Sequence, residues 1–178
     1  MATTTESALS TRVFVSYAHD RGIDGHRERA LQLTQSLRLR GVEAFIDQFV
    51  EHDPPFWPRW MIDQVKAADY VLCLASQGYK ERFEINGDPS IGRGARWEGV
   101  FVTEELYSSF ALNRRKFIAV VIPPCSPEHI PDVLRPIGES YYDWPEQDDD
   151  LYRRVTGQPR VIPAPLGTIV RLDHSSIS

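Results

Sequence analysis

Short apolar runs alternate along the chain with longer segments whose apolar residues recur every three or four positions. The runs predict β-strands at Val13–Val15, Val42–Ile46, Asp69–Ala75, Phe117–Ile122 and Ser140–Tyr142. The longer segments predict α-helices at His26–Arg40, Phe56–Ala67, Ala95–Phe110 and Asp148–Thr156, with one helical turn at Ile130–Arg135. We predict a long loop from Ser76 to Gly94. Strands that alternate with helices predict an α/β fold with a doubly wound, parallel, five-stranded sheet.

The two ends of the chain differ from this pattern. Residues 1–11 are small and polar, without the apolar centre of a signal peptide, and we expect a flexible leader. Residues 158–178 contain several prolines and are expected to form a linker or tail to a further module. The predicted domain therefore covers residues 12–157.

Composition and charge exclude several classes of function. The 178 residues carry a net charge of −5 with no basic block, which argues against nucleic acid as a partner. No apolar run is long enough to cross a bilayer, so we expect no membrane association. The two cysteines and five histidines show no metal-binding spacing, so no metal is expected. These features fit a protein of the reducing cytoplasm.

The ends of the predicted strands carry polar residues. In a doubly wound sheet, ligands bind outside the carboxyl ends of the strands. Ser16 and Tyr17 follow the first strand, and Asp47 and Gln48 follow the second. The loop that leads to Glu98 reaches the same rim, which predicts a ligand site there.

Glu98 lies between Trp97 and a glycine, where a glycine-rich loop meets a predicted helix. An acidic residue in the first turn of a helix is favoured by the helix dipole, and this alone explains a glutamate at that position. The flat tryptophan and the uncrowded glycine backbone also suit a ligand with a ring and hydroxyl groups. Both interpretations remain open on chemistry alone.

Three apolar residues beside the second strand are less easily explained by a core. Phe49 and Val50 lie in a predicted loop between polar residues, which favours a partner surface or a movable lid. Trp57 lies three positions before Trp60, so the two share one helical face that belongs to a core or an interface. We therefore predict that Phe49, Val50 and Trp57 serve assembly or closure.

Several segments of the chain, in order, carry a resemblance to a known family: Val13–Asp20, Leu37–Gln48, Trp57–Met61, Ala68–Leu72, Arg96–Gly99 with Thr103 and Glu105–Tyr107, Lys116–Ile118 and Leu151–Gly157. They resemble Toll/interleukin-1 receptor (TIR) domains, and more closely their SEFIR branch in bacteria. Trp97 directly precedes Glu98, whereas many TIR enzymes separate the tryptophan from the glutamate. The match extends from Thr11 to Gly157.

The resemblance implies a flavodoxin-like sheet and cleavage of NAD⁺ at its nicotinamide–ribose bond. Glu98 matches the family's catalytic glutamate, and NAD⁺ is then the substrate, with no separate cofactor. The residues implied to line the pocket are Ser16, Tyr17, Asp47, Gln48 and Trp97. The resemblance further implies self-association, a C-terminal sensor or oligomerisation module, and a role in bacterial antiphage defence.

Other functions are compatible with the same sequence. Receptor SEFIR domains assemble with one another without catalysis, so a non-enzymatic signalling adaptor is the main alternative. A flavodoxin-like binder of another nucleotide is a third. The sequence leaves open whether an enzyme of this kind would release linear or cyclic ADP-ribose.

Overall fold

In the computed structural model, residues 11–20, 22–84, 115–135 and 140–172 are described, except for the side chains of Pro58 and residues 82–84. Residues 1–10 of the predicted leader (1–11) and the whole of the predicted helix at 95–110 lie outside these ranges. The strands are β1 (Arg12–Ser16), β2 (Glu43–Phe45), β3 (Tyr70–Leu74), β4 (Phe117–Val121) and β5 (Tyr141–Asp143). The described helices are α1 (His26–Leu39), α2 (Trp57–Ala67), α3 (Gln77–Glu84) and α4 (Asp148–Thr156).

The five strands form one parallel sheet in the order β2-β1-β3-β4-β5. The register pairs Phe14 with Val71 and Leu72 with Ile118 at its centre. β2 and β5, at the two edges, are only three residues long. The predicted doubly wound α/β class and the five parallel strands are confirmed.

Both faces of the sheet are covered, which explains why the central strands carry apolar residues on both faces. Alternate side chains of β1 point to opposite faces, so Val13 and Val15 pack with α1 and α4, whereas Phe14 packs with α2 and α3. Leu33 and Leu37 of α1 and Leu151 of α4 are fully buried on the first face.

Arg40, directly after α1, contacts the first turn of α4. Its guanidinium donates to Asp148 and Asp149 at 2.8 Å each and lies 3.8 Å from the centre of the Tyr152 ring. The Tyr152 hydroxyl donates back to the Arg40 carbonyl at 2.8 Å. These aspartates also lie in the first turn of α4, where negative charge is favoured.

Two elements differ from the sequence-based expectation. The predicted loop from Ser76 begins with α3, so the prediction was wrong over Gln77–Glu84. The predicted turn at Ile130–Arg135 is a 3₁₀ helix at Asp132–Leu134, and a second one lies at Pro127–His129.

Residues 162–172 of the tail form no helix or strand. Among the helices that the structure describes, none is long and apolar enough to cross a membrane.

Candidate functional site

The carboxyl ends of β1 and β2 bring Tyr17, Asp47 and Gln48 together. Gln48 donates through Nε2 to the Tyr17 hydroxyl at 3.1 Å and to the Arg27 carbonyl at 3.0 Å. This one amide therefore ties the loop after β2 to the end of β1 and to α1. Burial, followed by the negative charge of Asp47, raises the pKa of Tyr17, so its hydroxyl keeps its proton.

Asp47 forms a second link across the same rim, to His19. The distance from His19 Nε2 to Asp47 Oδ2 is 2.6 Å, which is short for a hydrogen bond between a ring nitrogen and a carboxylate. The Asp47 side chain is 14% exposed, whereas His19 is 53% exposed. The other carboxylate oxygen, Oδ1, is buried and has no hydrogen-bond partner. A buried oxygen of this kind can accept a donor from a bound molecule or an ordered water.

The His19 ring is held by stacking as well as by Asp47. It lies against Tyr17 with ring centres 5.0 Å apart and planes inclined by 29°. Because stacking and the hydrogen bond act on different parts of the ring, together they fix its position and its rotation. His19 was not among the predicted site residues, although it directly follows the strand end that predicted the site.

Ser16 lies beneath this rim, at 4% exposure. Its hydroxyl accepts a hydrogen bond from the Tyr79 hydroxyl at 3.0 Å, across the sheet to α3. The Ser76 hydroxyl accepts the Tyr79 backbone N–H at 3.1 Å and so caps the same helix. In this arrangement Ser16 supports α3, and its predicted contact with substrate stays a prediction.

Asp20 also holds α3, through Oδ2, which accepts the Gly78 backbone N–H at 3.1 Å. A Cβ atom at position 78 would lie 1.9 Å from Asp20 Oδ1, so only glycine permits this approach. The loop after β1 therefore contributes residues both to the rim (Tyr17, His19) and to the start of α3 (Asp20).

The predicted assembly residues lie deeper than an apolar loop tip would. Phe49 belongs to a 3₁₀ helix at Asp47–Phe49, is half-buried, and packs against the core and the Phe45 ring at 6.3 Å. Val50 and Trp57 are also half-buried, and Trp57 meets Trp60 edge to face at 5.6 Å. The exposed aromatic residue of this region is Phe56, at 76% exposure, which the sequence analysis did not single out.

Glu98 and Trp97 lie outside the described residues. Within the described ranges, no group of three or more histidine, cysteine, aspartate or glutamate side chains could hold a metal ion. The polar groups that the structure brings together are thus the Tyr17 hydroxyl, the Asp47–His19 pair and the Gln48 amide. They provide hydrogen-bond donors and acceptors beside a carboxylate, a set that suits a hydroxylated ligand.

Comparison with known proteins identifies the class of domain to which this site belongs. The SEFIR domain family model matches residues 11–155, so the chain belongs to the SEFIR domain family, a branch of the TIR-like superfamily. A crystal structure of a prokaryotic SEFIR domain matches with a TM-score of 0.61 at 24% sequence identity, covering 89% of this chain and 100% of that one. Comparison with curated proteins gives no match.

Proposed function

We propose that this SEFIR domain cleaves NAD⁺ at the nicotinamide–ribose bond when copies of the chain assemble. The observation that carries the proposal is the rim at the ends of β1 and β2, where Asp47 keeps a buried oxygen without a donor beside Tyr17 and Gln48. A ribose supplies hydroxyl donors for such an oxygen. Doubly wound sheets bind nucleotides at this edge.

The chemistry requires one well-placed carboxylate. Loss of neutral nicotinamide leaves positive charge on the ribose C1′, as in the oxocarbenium-like transition state of glycoside hydrolysis. In the proposal, Glu98 stabilises this charge, Trp97 stacks on a ring of the substrate, and Ser16 supports the rim from below. We place the activity in bacterial antiphage defence, with a module beyond the tail controlling assembly.

The test is nicotinamide release from NAD⁺ by the full chain at high concentration and when clustered on a scaffold. We expect cleavage by the clustered wild type and a roughly 100- to 1,000-fold loss in Glu98→Gln, the effect typical of losing one preorganised electrostatic contact. Glu28→Gln, on an exposed turn of α1, is the matched control. Equal cleavage by wild type and Glu98→Gln would refute the assignment of the glutamate.

A non-enzymatic adaptor is the second candidate, and one observation favours it. SEFIR domains mediate homotypic interactions, and Phe56 presents an aromatic ring to solvent directly before α2. Aromatic residues are enriched at protein interfaces. If no assembled state of the wild type releases nicotinamide, the adaptor function is the one supported.

A further inference from the structure

A small cavity lies between the sheet and the 3₁₀ helices at Pro127–His129 and Asp132–Leu134. It has a volume of about 240 Å³, and every residue that lines it falls between Ala119 and Tyr141. The cavity is on the face of the sheet that α2 and α3 cover, because Ala119 pairs with Cys73 of that face. It is therefore separate from the rim at the ends of β1 and β2.

The floor of the cavity is apolar. Ala119 on β4 and Ile130 are each 4% exposed, and Leu134 and Tyr141 are partly buried in the same apolar cluster. The single methyl group of Ala119 leaves room that a larger side chain would occupy. The volume of 240 Å³ is below the roughly 300–1,000 Å³ of sites for drug-sized ligands, so it suits a molecule of about ten non-hydrogen atoms.

The Arg135 guanidinium lines this cavity in a fixed position. Nε donates to the Ile130 carbonyl at 3.3 Å, and Nη2 donates to the carbonyls of Pro127 and Glu128 at 3.3 and 3.1 Å. The Asp132 carboxylate lies 3.7 Å from Nε. Nη1 has no hydrogen-bond partner among the described residues. This nitrogen keeps its N–H donors for a carboxylate.

Glu128 lines the same cavity and carries the opposite charge. Its Oε1 accepts a hydrogen bond from the Ser126 hydroxyl at 3.0 Å, and Oε2 accepts none from the described residues. Lys80 and Asp132, two further charged residues nearby, lie 3.8 Å from each other. The cavity thus offers one carboxylate and one guanidinium beside an apolar floor. That set is complementary to a molecule with an ammonium, a carboxylate and an apolar group.

We propose that this cavity binds a free amino acid with an apolar side chain, such as leucine. The side chain lies on the apolar floor, the carboxylate accepts hydrogen bonds from Arg135 Nη1, and the ammonium donates to the Glu128 carboxylate. The proposal goes beyond the cleavage of NAD⁺ and does not depend on it, because the two sites share no residue.

The experiment is a titration of the nitrogen-15-labelled full chain with leucine, followed through the amide signals of Ile130, Leu134 and Tyr141. We expect saturable shifts with a dissociation constant of about 1 mM or lower, within the range for a ligand of this size. The absence of a saturable shift at these three amides would overturn the proposal.

Two analogues of leucine test its two charges separately. The ammonium is missing from 4-methylpentanoate, and the carboxylate is missing from 3-methylbutylamine. Each should bind about tenfold more weakly than leucine or worse, because each leaves one charged group of the cavity without its partner. An analogue that binds as tightly as leucine would overturn the proposal of an amino acid as the ligand.

Arg135→Gln tests the carboxylate contact. In this variant leucine should bind no better than 3-methylbutylamine does, because the carboxylate has lost its cation. Arg153→Gln, which removes an exposed arginine of α4, is the matched control and should bind leucine like wild type. If Arg135→Gln kept the advantage of leucine over the amine, the proposed contact would be refuted.

Ala119→Val tests the floor without changing a charge. The added methyl groups occupy part of the cavity, so leucine binding should weaken by about tenfold or more while the melting temperature stays at or above that of wild type. Ala164→Val, in the exposed tail, is the control and should leave binding unchanged. Unaltered leucine binding by folded Ala119→Val would show that leucine binds elsewhere and would overturn the proposal.

Discussion

At the scale of single residues, His26 is a buried histidine whose ring is only partly satisfied. Its Nε2 has no hydrogen-bond partner, and its Nδ1 lies 3.9 Å from the Cys125 sulfur. Burial lowers the pKa of His26, an effect that the charge of Asp20 partly offsets. The native protein therefore holds this ring neutral under conditions in which an unfolded chain would protonate it.

This difference predicts an acid-sensitive contribution to stability. Because the pKa of His26 is lower in the folded state, the unfolded state binds more protons once the pH falls below about 6.5, the value for a free histidine. The contribution is present above that pH and is lost as the pH falls toward the folded-state pKa. Urea unfolding at pH 7.5 and pH 5.5 measures it.

We expect a smaller pH dependence in His26→Gln than in wild type, by up to about 1.4 kcal/mol per pH unit for one proton. The exposed His52→Gln should keep the wild-type dependence. Identical curves for wild type and His26→Gln would show that the ring does not resist protonation in the native state.

At the scale of elements, α3 depends on contacts that are distant in sequence. Asp20 and Gly78 are 58 positions apart, and the Asp20 carboxylate caps the helix from the loop after β1. The segment Gln77–Glu84 has few apolar residues and a glycine in its first turn, so its own pattern predicts a loop. Its helical state is supported by the cap from Ser76, directly before it, and by Asp20, whose distance in sequence hides it from any local pattern.

The contact between Asp20 and Gly78 predicts that the effect of Gly78→Ala on the free energy of unfolding changes sign when Asp20 is removed. Gly78→Ala should destabilise wild type by about 1 kcal/mol or more, because the new methyl group displaces Asp20 from the helix end. In an Asp20→Ala background the same change should stabilise by about 0.5 kcal/mol, as alanine favours a helix over glycine. Chemical denaturation of the four proteins gives the coupling.

Gly22→Ala is the control for this cycle, since an added Cβ there would meet nothing within 4 Å. Gly22→Ala should change the free energy of unfolding by the same amount in the wild-type and the Asp20→Ala backgrounds. A Gly78→Ala effect that is independent of residue 20 would mean that Asp20 does not hold α3 in solution.

At the scale of the whole molecule, the sequence predicted the sheet better than it predicted the rim. β1, β3 and β4 are apolar on both faces, and this pattern directly reflects a parallel sheet covered by helices. The rim depends on side chains from separate loops, so the spacing of Tyr17, His19 and Asp47 could not predict their contacts. Phe49 shows the same limit, because an apparent loop tip is in fact half-buried, packing against the core and beside the Phe45 ring.

Self-association is predicted to depend on Phe56 rather than on Phe49. Phe56→Ser removes an exposed ring and should leave stability within about 0.5 kcal/mol of wild type, while weakening self-association by about tenfold or more. Sedimentation at matched concentrations measures the association. Leu39→Ser, at 87% exposure on the end of α1, is the control and should associate like wild type.

Unchanged association of Phe56→Ser would place the contact elsewhere on the molecule. Phe49→Asp is less suitable as a test of self-association. It puts a charge against the core, so a loss of association there would be confounded with a loss of folding.

The two short edge strands have a consequence for how copies of this chain can join. β2 and β5 each offer three residues of backbone to a neighbour, and each hydrogen bond contributes only about 1 kcal/mol net. An assembly in which the edge strands of neighbouring copies pair to continue the sheet would therefore have weak interfaces. Cohesion must come from side chains on helices and loops, and an assembly held in that way can come apart when its signal ends.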